Sequence, residues 1–316
     1  MRVLVTGVTG QDGWYLSEAL HAEGTTVFGL VAPGDPAALP PGVVPVTGHM
    51  RDAASLRSAV AAAEPDEVYN LASISSVARS WEDPETVADV NGLGVVRLLV
   101  AVREFSERAD RAVRFVQASS AEIFGDAPPP QDEWTPIAPR TPYGAAKAYA
   151  QHVVHAYRAA GAWAASAILF NHESPRRLET FVTRKITSTV AAIAAGRADR
   201  LVLGNLEVRR DWGYAADYAD ALRRIARYPE PRDFVVATGV SHSIADFVRV
   251  AFAHVGIDDW RRYVSCDPAL QRAGDAGEQR GDATPARTLL GWAPTVDFAG
   301  LVALMVDADR AALAST

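Results

Sequence analysis

Tyr143 and Lys147 are the residues of this chain whose types and spacing most directly suggest chemistry. They lie four positions apart in TPYGAAKAYA, and Lys147 is one of two lysines in a chain with 31 basic residues. Residues four apart share one face of a helix, so the ammonium group can lie near the phenol and favour the phenolate. Tyr143 is therefore a candidate general base near neutral pH. A Tyr–Lys contact on a solvated helix face is the alternative.

Three glycines near the amino terminus predict a second functional element. RVLVT reads as a strand, and it leads through Gly7, Gly10 and Gly13 into the helical stretch WYLSEALHAEG. Glycines at this spacing allow a tight turn and the close approach of a pyrophosphate to the positive end of the helix. Their place between a strand and a helix favours dinucleotide binding. A tight turn without a ligand is the alternative.

The elements that must position these residues are predicted by alternating segments. Strands are predicted at VFGLV, VVPVTG, DEVYNLAS, VRFVQASS and WAASAILF, and helices near residues 53–63, 84–107 and 143–160. This order indicates an α/β fold with a doubly wound parallel sheet (Rossmann) and a smaller α/β substrate-binding lobe. We expect the dinucleotide-binding domain over residues 1–170 and the lobe over 171–316, with later segments free to return to the first domain. PARTLLGWAPTVDF predicts a short helix, a turn and a strand that closes the small lobe.

Composition is typical of a water-soluble enzyme. The chain has 316 residues, of which 49% are hydrophobic and 22% charged, and its net charge of −7 argues against a nucleic-acid surface. Cys266 is the single cysteine, so no internal disulfide can form. Neither a membrane-spanning run nor a convincing metal-ligand spacing is apparent, and we expect no metal, no membrane and a cytoplasmic location.

Several longer motifs resemble a known family. The glycine triplet, Tyr143-x-x-x-Lys147 and a serine on the preceding strand resemble extended short-chain dehydrogenase/reductases. Within that superfamily, TGVTGQDGWYL, VYNLAS, QASSAEIFG, ILFNHESPRR, FVTRKI, RRDWG and LGW resemble GDP-mannose 4,6-dehydratases, from residue 2 to about residue 306. ILFNHESPRR and RRDWG are specific to that group.

The resemblance implies a lyase that converts a GDP-hexose to its 4-keto-6-deoxy sugar by internal hydride transfer. Tyr143 would take the 4-hydroxyl proton as hydride leaves for the nicotinamide, and Lys147 would hold the nicotinamide ribose and lower the pKa of Tyr143. Ser120 would hydrogen-bond the 4-oxygen of the sugar. Glu122 would abstract the carbon 5 proton and protonate the departing carbon 6 hydroxyl. A solvated loop carboxylate is the alternative for Glu122.

The segment around Glu122 departs from the family pattern. Ser119-Ser120-Ala121-Glu122 begins like the serine-serine-alanine-threonine of sugar-nucleotide epimerases and ends like a dehydratase. The family usually has threonine and serine where this chain has Ser120 and Ala121, so one hydroxyl is lost. A sugar-nucleotide epimerase or reductase, and a non-catalytic nucleotide-sugar-binding protein, therefore remain alternatives.

The resemblance also implies two sets of binding residues. Those for the sugar nucleotide are Ser75, Glu122, Asn171, Arg176, Lys185, Gly204, Leu206, Arg210, Arg272 and Asp275. Those for the dinucleotide are Gly7, Gly10, Gln11, Asp12, Gly13, Asp35, His49, Met50, Leu71, Ala72, Tyr143 and Lys147. Arginine suits a diphosphate through its planar fork of donors, although each charged residue could instead form a surface ion pair.

The segment after the second predicted strand bears on the choice of cofactor and on assembly. The family usually has two arginines there that meet the NADP 2′-phosphate, whereas this chain has Ala32 and Pro33, and His49 replaces an adenine-binding aspartate. Asp35 could accept from a free ribose hydroxyl, so NAD or NADP is expected with a preference for NAD. The proline-rich VAPGDPAALPPG lacks a basic residue to cross a subunit interface. We therefore expect a homodimer built from the helices near 84–107 and 143–160 rather than a tetramer.

Overall fold

The short apolar runs of the first half of the chain form strands, as the sequence predicts. The computed structural model describes residues 1–35, 37–270, 274 and 276–315. Within these residues the strands are β1 (Arg2–Thr6), β2 (Thr26–Val31), β3 (Val44–Thr47), β4 (Glu67–Asn70), β5 (Arg114–Ser120), β6 (Ala164–Leu169), β7 (Asn171–Glu173), β8 (Leu201–Leu203), β9 (Arg209–Tyr214), β10 (Phe234–Val236), β11 (Ser241–Ser243), β12 (Val264–Cys266) and β13 (Glu278–Gln279).

Helices alternate with the strands and begin at recognisable caps. They are α1 (Gln11–Ala22), α2 (Ala53–Ala63), α3 (Val77–Glu82), α4 (Pro84–Ala88), α5 (Gly94–Ala109), α6 (Pro142–Ala159), α7 (Val182–Ala194), α8 (Ala215–Arg227), α9 (Ile244–His254), α10 (Thr284–Leu290) and α11 (Phe298–Ala314). Asp52 caps α2 by accepting from the Ala54 backbone N–H at 2.9 Å. The single helix predicted over 84–107 is instead interrupted, because the π-helical segment Asp89–Leu93 separates α4 from α5.

The described residues contain a large parallel sheet with the strand order β10-β6-β5-β4-β1-β2-β3. Apolar side chains cover both of its faces, with α1 and α8 on one side and α2 and α5 on the other. Strands buried on both faces read as continuous apolar runs, as VLV of β1 does. The predicted α/β doubly wound sheet is confirmed.

After β6 the chain builds a smaller layer and then partly returns. β9 pairs with β7, β11 and β13, while α7, α9 and α11 enclose a separate apolar core. Between these segments, α8 packs on α1 and β10 adds to the large sheet beside β6. Residue 170 is thus the point where the chain first leaves the large sheet, and residues 215–236 return to it.

The predicted strand in TVDF does not form, and that prediction was wrong. The backbone N–H groups of Thr295 and Val296 donate to the Asp217 carboxylate at 2.8 and 3.4 Å instead of to a neighbouring strand. Asp297 then caps α11 by accepting from the Gly300 N–H at 2.8 Å. The preceding helix, α10, packs against α8 and β10 at the large sheet rather than closing the small lobe.

A buried chain of hydrogen bonds joins the ends of β1 and β4 to the middle of β5. The Thr6 hydroxyl donates to Asn70 Oδ1 at 2.6 Å, and Asn70 Nδ2 donates to Gln117 Oε1 at 2.7 Å. Thr6 Oγ1 also accepts from the N–H groups of Leu71 and Ala72 at 3.1 and 3.0 Å. These bonds fix the edge of the sheet at which ligands bind in open α/β folds.

Across the described part of the chain, none of the helices has the length and apolarity that crossing a membrane requires.

Candidate active site

The glycine turn between β1 and α1 has no room for side chains. Gly7 has φ +66°, and a Cβ there would lie 2.8 Å from the Ala72 nitrogen. A Cβ on Gly13 would lie 2.3 Å from the Gly7 carbonyl oxygen. Gly10 is the N-cap of α1 and contributes no side-chain cap. The first-turn N–H groups of α1 can therefore meet an anion directly, and the turn fits a dinucleotide pyrophosphate.

Helix α6 carries Tyr143 and Lys147 into the interior. Its start is set by Pro142 in the first turn and by Thr141, whose hydroxyl accepts from the Gly144 N–H at 3.0 Å. Tyr143 and Lys147 are both buried. Lys147 Nζ donates to the Ala118 carbonyl oxygen at 2.8 Å and lies 5.8 Å from the centroid of the Tyr143 ring.

Burial governs the pKa values of this pair. It raises the pKa of Tyr143 to about 12, against the hydrogen bonds of Ser120 and Ser73 and the charge of Arg177, which lower it; the Glu122 carboxylate raises it further. Burial lowers the pKa of Lys147 to about 8, against the charge of Asp12. Burial therefore outweighs the groups that lower the pKa of Tyr143, and the lowered pKa expected of a general base is not seen in this structure.

A 3₁₀ turn, Ala121–Phe124, presents Glu122 beside the end of β5. Ser120 Oγ accepts from the Glu122 N–H at 3.3 Å, and Glu122 Oε1 accepts from Gln279 Nε2 at 3.4 Å. Helix α6 approaches this turn so closely that a Cβ on Gly144 would lie 2.6 Å from the Glu122 carbonyl oxygen. Gly144 thereby allows Tyr143 and Glu122 to share one wall of the cleft.

The π-helical segment holds the opposite loop in place. Asn91 in that segment accepts from the Ile74 N–H at 2.9 Å and donates to the Ile74 carbonyl at 3.0 Å. This anchors a loop whose Ser73 and Ser75 face the cleft. π-helical turns commonly occur at functional sites. Sequence reasoning missed Ser73, and the motif VYNLAS was the signal that could have drawn attention to it.

The segment after β6 supplies further side chains that sequence reasoning missed. His172 and Arg177 line the cleft, whereas the predicted Arg176 does not and instead lies with its guanidinium 3.4 Å from the centroid of the Trp14 ring. Arg177 Nε donates to Glu173 Oε2 at 2.6 Å. NHESPRR contains all of these residues, but adjacent arginines cannot be told apart without the backbone geometry.

Basic and amide groups line the other half of the cleft. Asn171 lies on β7, Lys185 on α7 and Arg210 on β9. Arg210 is buried, and its Nη1 donates to the carbonyl oxygens of Arg209 and Ala276 at 2.8 Å each. These bonds hold its guanidinium against the wall of the cleft.

One cleft of about 960 Å³ brings most of the predicted residues together. The predicted residues that line it are Gly7, Gly10, Gln11, Asp12, Gly13, Leu71, Ser75, Ser120, Glu122, Tyr143, Lys147, Asn171, Lys185, Gly204 and Arg210. Arg272 and Asp275 lie outside the described residues.

Within the described ranges, no group of three or more histidine, cysteine, aspartate or glutamate side chains could hold a metal ion.

The remaining predicted residues do not line that cleft. Asp35 is exposed and accepts from the Ala37 N–H at 2.9 Å, and His49 Nδ1 accepts from the Arg51 N–H at 3.1 Å. Others in this set are Met50 and Leu206, which pack in apolar clusters, and Ala72, whose backbone abuts Gly7. Asp35, His49, Met50 and Ala72, the residues predicted near the adenosine, are therefore not among the residues that line the cleft.

Comparison with known proteins agrees with this geometry. The pattern of the family described as GDP-mannose 4,6 dehydratase matches residues 4–305. The chain belongs to that family. GDP-mannose 4,6 dehydratase 1 of Arabidopsis thaliana is 44% identical over 321 residues, which cover 97% of this chain and 89% of that protein. The resemblance inferred from the motifs is thus confirmed.

Solved structures share the fold of this GDP-mannose 4,6-dehydratase family member. UDP-glucose 4-epimerase from Thermus thermophilus, in a complex with NAD, has a TM-score of 0.86 at 28% identity and covers 99% of this chain and 100% of its own. RMD from Pseudomonas aeruginosa, in a complex with NADPH, has a TM-score of 0.82 at 22% identity, with coverage of 99% and 100%. At that lower identity the likeness shows the fold alone.

Proposed function

We propose that this protein is an NAD(P)-dependent GDP-mannose 4,6-dehydratase, a lyase that forms the 4-keto-6-deoxy sugar by internal hydride transfer. The observation that carries this proposal is the position of Glu122 beside Ser120 and Tyr143 in one cleft. The glycine turn lies along one half of that cleft, and Lys185 and Arg210 lie along the other. Neither epimerisation at carbon 4 nor reduction of a 4-ketone needs an acid or base at carbon 5. The presence of Glu122 therefore favours dehydration over the epimerase and reductase alternatives.

The dinucleotide would be held by the glycine turn, with Lys147 and Leu71 nearer the reacting end. The close contacts at Gly7 and Gly13 and the uncapped first turn of α1 support this assignment. When bound, the nicotinamide supplies a hydride acceptor for carbon 4 and a hydride donor for carbon 6. The remaining chemistry falls to side chains of this protein.

Tyr143 and Ser120 would act on the 4-oxygen. As the carbon 4–hydrogen bond breaks, the phenolate of Tyr143 takes the 4-hydroxyl proton, and Ser120 hydrogen-bonds the oxygen in both oxidation states. The hydroxyls of Ser120 and Ser73 and the charge of Arg177 lower the pKa of Tyr143 against its burial. They therefore assist the ionisation that this step requires.

Glu122 would act on carbons 5 and 6. The 4-ketone acidifies carbon 5, so the Glu122 carboxylate can remove that proton and then deliver it to the carbon 6 hydroxyl, which leaves as water. A proton returns to carbon 5 from Tyr143 as hydride reaches carbon 6, and this restores the phenolate. Every proton and hydride is thus accounted for, with water as the single by-product. Because Ala121 has no hydroxyl where the family usually has serine, the hydrogen bond to the 4-oxygen would come from Ser120.

The GDP moiety would bind in the basic half of the cleft. Arg210 and Lys185 suit the diphosphate and Asn171 suits a polar edge of the nucleotide, while Arg272 and Asp275 are proposed by resemblance to complete the set. Ser75 and Gly204, which line the cleft, stay predictions of the same kind, as do Arg176 and Leu206, which do not line it.

NAD is the preferred dinucleotide in this proposal. Residues 32–35 contain no cation for a 2′-phosphate, and the exposed Asp35 carboxylate could accept from a ribose hydroxyl if its loop folds back. His49, Met50 and Ala72 are proposed as neighbours of the adenosine. Affinities for NAD and NADP measured by fluorescence titration test this preference, and NADP binding about tenfold tighter (1.4 kcal/mol) would contradict it.

We also propose a cytoplasmic homodimer, with residues 1–170 as the core of the dinucleotide-binding domain. The interface would consist of the helices near 84–107 and 143–160 from both subunits. Leu93, at the end of the π-helical segment, and Tyr149, on α6, support it because these large side chains are 46% and 47% exposed. Light scattering should report a dimer, and a tetramer would contradict this arrangement. The expected partner is the GDP-sugar alone, without nucleic acid or membrane.

Product analysis separates the candidate functions. Purified protein incubated with a panel of GDP-sugars and NAD(P) should release water from GDP-mannose, as seen by mass spectrometry. An epimerase would give a product of unchanged mass, and a reductase would consume reduced cofactor stoichiometrically in a parallel reaction supplied with NAD(P)H. A non-catalytic binding protein would return the substrate unaltered.

A further inference from the structure

His172 is held by acceptors at both of its ring nitrogens. Nδ1 lies 2.7 Å from the Phe170 carbonyl oxygen, and Nε2 lies 2.9 Å from Asp12 Oδ2. The ring stacks on buried Tyr218 with 4.6 Å between centroids. A neutral imidazole has a single N–H and cannot donate to both partners. The His172–Asp12 pair therefore holds two protons, and both lie on His172 because the pKa of Asp12 is lowered to about 2 while that of His172 is raised.

Gln11 makes a second connection between the same two segments. Its Nε2 donates to the His172 carbonyl oxygen at 3.1 Å, and its Oε1 accepts from the Ser174 hydroxyl at 2.7 Å. Gln11 and Asp12 are the first two residues of α1, directly after the glycine turn, whereas His172 and Ser174 follow β6 some 160 residues later. Three side-chain hydrogen bonds thus join the dinucleotide turn to the segment that leads into the substrate half of the cleft.

The side-chain atoms of this cluster are engaged with protein partners. Asp12 Oδ2 faces His172, and Asp12 Oδ1 accepts from Gln11 Nε2 at 3.2 Å. The same segment carries Asn171 and leads to Arg177, and both of these residues line the cleft. Moving this segment would therefore move groups that face the sugar nucleotide.

We propose that Gln11 and Asp12 are positioning residues for the sugar-nucleotide site, acting through His172 and Ser174. The proposal deepens the proposed function and rests on its assignment of Asn171 to the GDP-sugar. It differs from a role as dinucleotide ligands, because it makes GDP-sugar affinity depend on two residues of the dinucleotide turn.

Two charged groups face His172, and they set the pH range over which it pairs with Asp12. They are Asp12 on α1 and Arg177 after β7, while Tyr218 on α8 contributes a neutral ring. Burial alone would raise the pKa of Asp12, but His172 and Arg177 lower it from 3.8 to about 2. Burial would likewise lower the pKa of His172, but Asp12 raises it above 6.5. The Asp12–His172 pair is complete between these limits; it is lost as pH falls through the pKa of Asp12 or rises through that of His172.

Calorimetric titration of GDP, without added dinucleotide, tests the proposal directly. Asp12→Asn should weaken GDP binding about tenfold, the effect of losing a hydrogen bond between charged groups. Ser174→Ala should weaken it as well, by a smaller factor. Ser174 does not line the cleft, so it can act on ligands through position alone. Glu18→Gln, on the same helix and bonded to Trp14 Nε1 at 2.7 Å, is the matched control and should bind GDP like the wild type.

Two outcomes would overturn the proposal. One is wild-type GDP affinity in both Asp12→Asn and Ser174→Ala, whether or not NAD affinity falls. The other comes from nitrogen-15 NMR of His172, which should show two protonated ring nitrogens in the wild type and one in Asp12→Asn at neutral pH; an unchanged signal would refute the pairing. Failure of the wild type to bind GDP would instead count against the proposed function, and the NMR comparison would still decide the pairing.

Discussion

Replacing Lys147 by methionine should make the protein more stable while abolishing its activity. Lys147 is buried and lies beside Tyr143, and burial lowers its pKa from 10.5 to about 8. At about 1.4 kcal/mol for each tenfold change in proton affinity, keeping this ammonium charged at neutral pH costs the folded state about 3 kcal/mol. Methionine has a similar length and carries no charge, so Lys147→Met removes that cost.

The lost hydrogen bond offsets part of the gain. Lys147 Nζ donates to the Ala118 carbonyl, a bond that contributes about 1 kcal/mol. That oxygen still accepts from Gln117 Nε2 at 2.8 Å, so it is not left unsatisfied in the variant. The free energy of unfolding should therefore rise by about 2 kcal/mol near neutral pH.

The pH dependence identifies the cause. Between about pH 8 and 10.5, Lys147 is largely deprotonated in the folded protein but still protonated in the unfolded chain. The unfolded chain therefore binds more protons over this range, and wild-type stability should rise with pH. The advantage of Lys147→Met should shrink over that range. Guanidinium chloride denaturation at several pH values measures the free energy of unfolding and its pH dependence. Lys185→Met is the control, because Lys185 is the other lysine of the chain and is only half-buried. A variant that is less stable than wild type at neutral pH would refute the reasoning.

Three further substitutions test the assigned roles. Glu122→Gln should keep GDP-mannose binding and lower dehydration by about 10² to 10⁴-fold, and near-normal turnover would remove Glu122 from the mechanism. Tyr143→Phe should prevent the first oxidation, so absorbance of reduced nicotinamide appearing in a single turnover would point to another base. Arg210→Ala should weaken GDP binding by about 1.5–3 kcal/mol in calorimetry; because Arg210 also bonds the Ala276 carbonyl, circular dichroism must first confirm that the variant is folded.

Local patterns predicted the elements of the large sheet well. The turn around Gly10 and the helix bearing Tyr143 follow from glycine spacing and apolar periodicity, which are properties of neighbouring residues. The strand predicted in TVDF failed because its N–H groups bond the carboxylate of Asp217, a distant residue. Apolar alternation alone cannot reveal such a competing acceptor.

The site was predictable in its residue types but not in its electrostatics. Tyr143 and Lys147 were identified from their spacing. The directions in which their pKa values shift, however, depend on burial, which only the folded chain determines. The pairing of Asp12 with His172 joins residues 160 positions apart, and no local pattern encodes it. Arg177 rather than Arg176 faces the cleft for a similar reason, since the backbone between them sets which side chain points inward.

The fate of one isotope tests internal hydride transfer most directly. GDP-mannose carrying deuterium at carbon 4 should give a 4-keto product whose deuterium lies in the carbon 6 methyl group, as read by NMR and mass spectrometry. The reaction in deuterated water with unlabelled substrate should place solvent deuterium at carbon 5, because the proton that returns there comes from a side chain in exchange with water. Deuterium retained at carbon 4, or a product that has lost no water, would contradict the assignment of this protein as a 4,6-dehydratase.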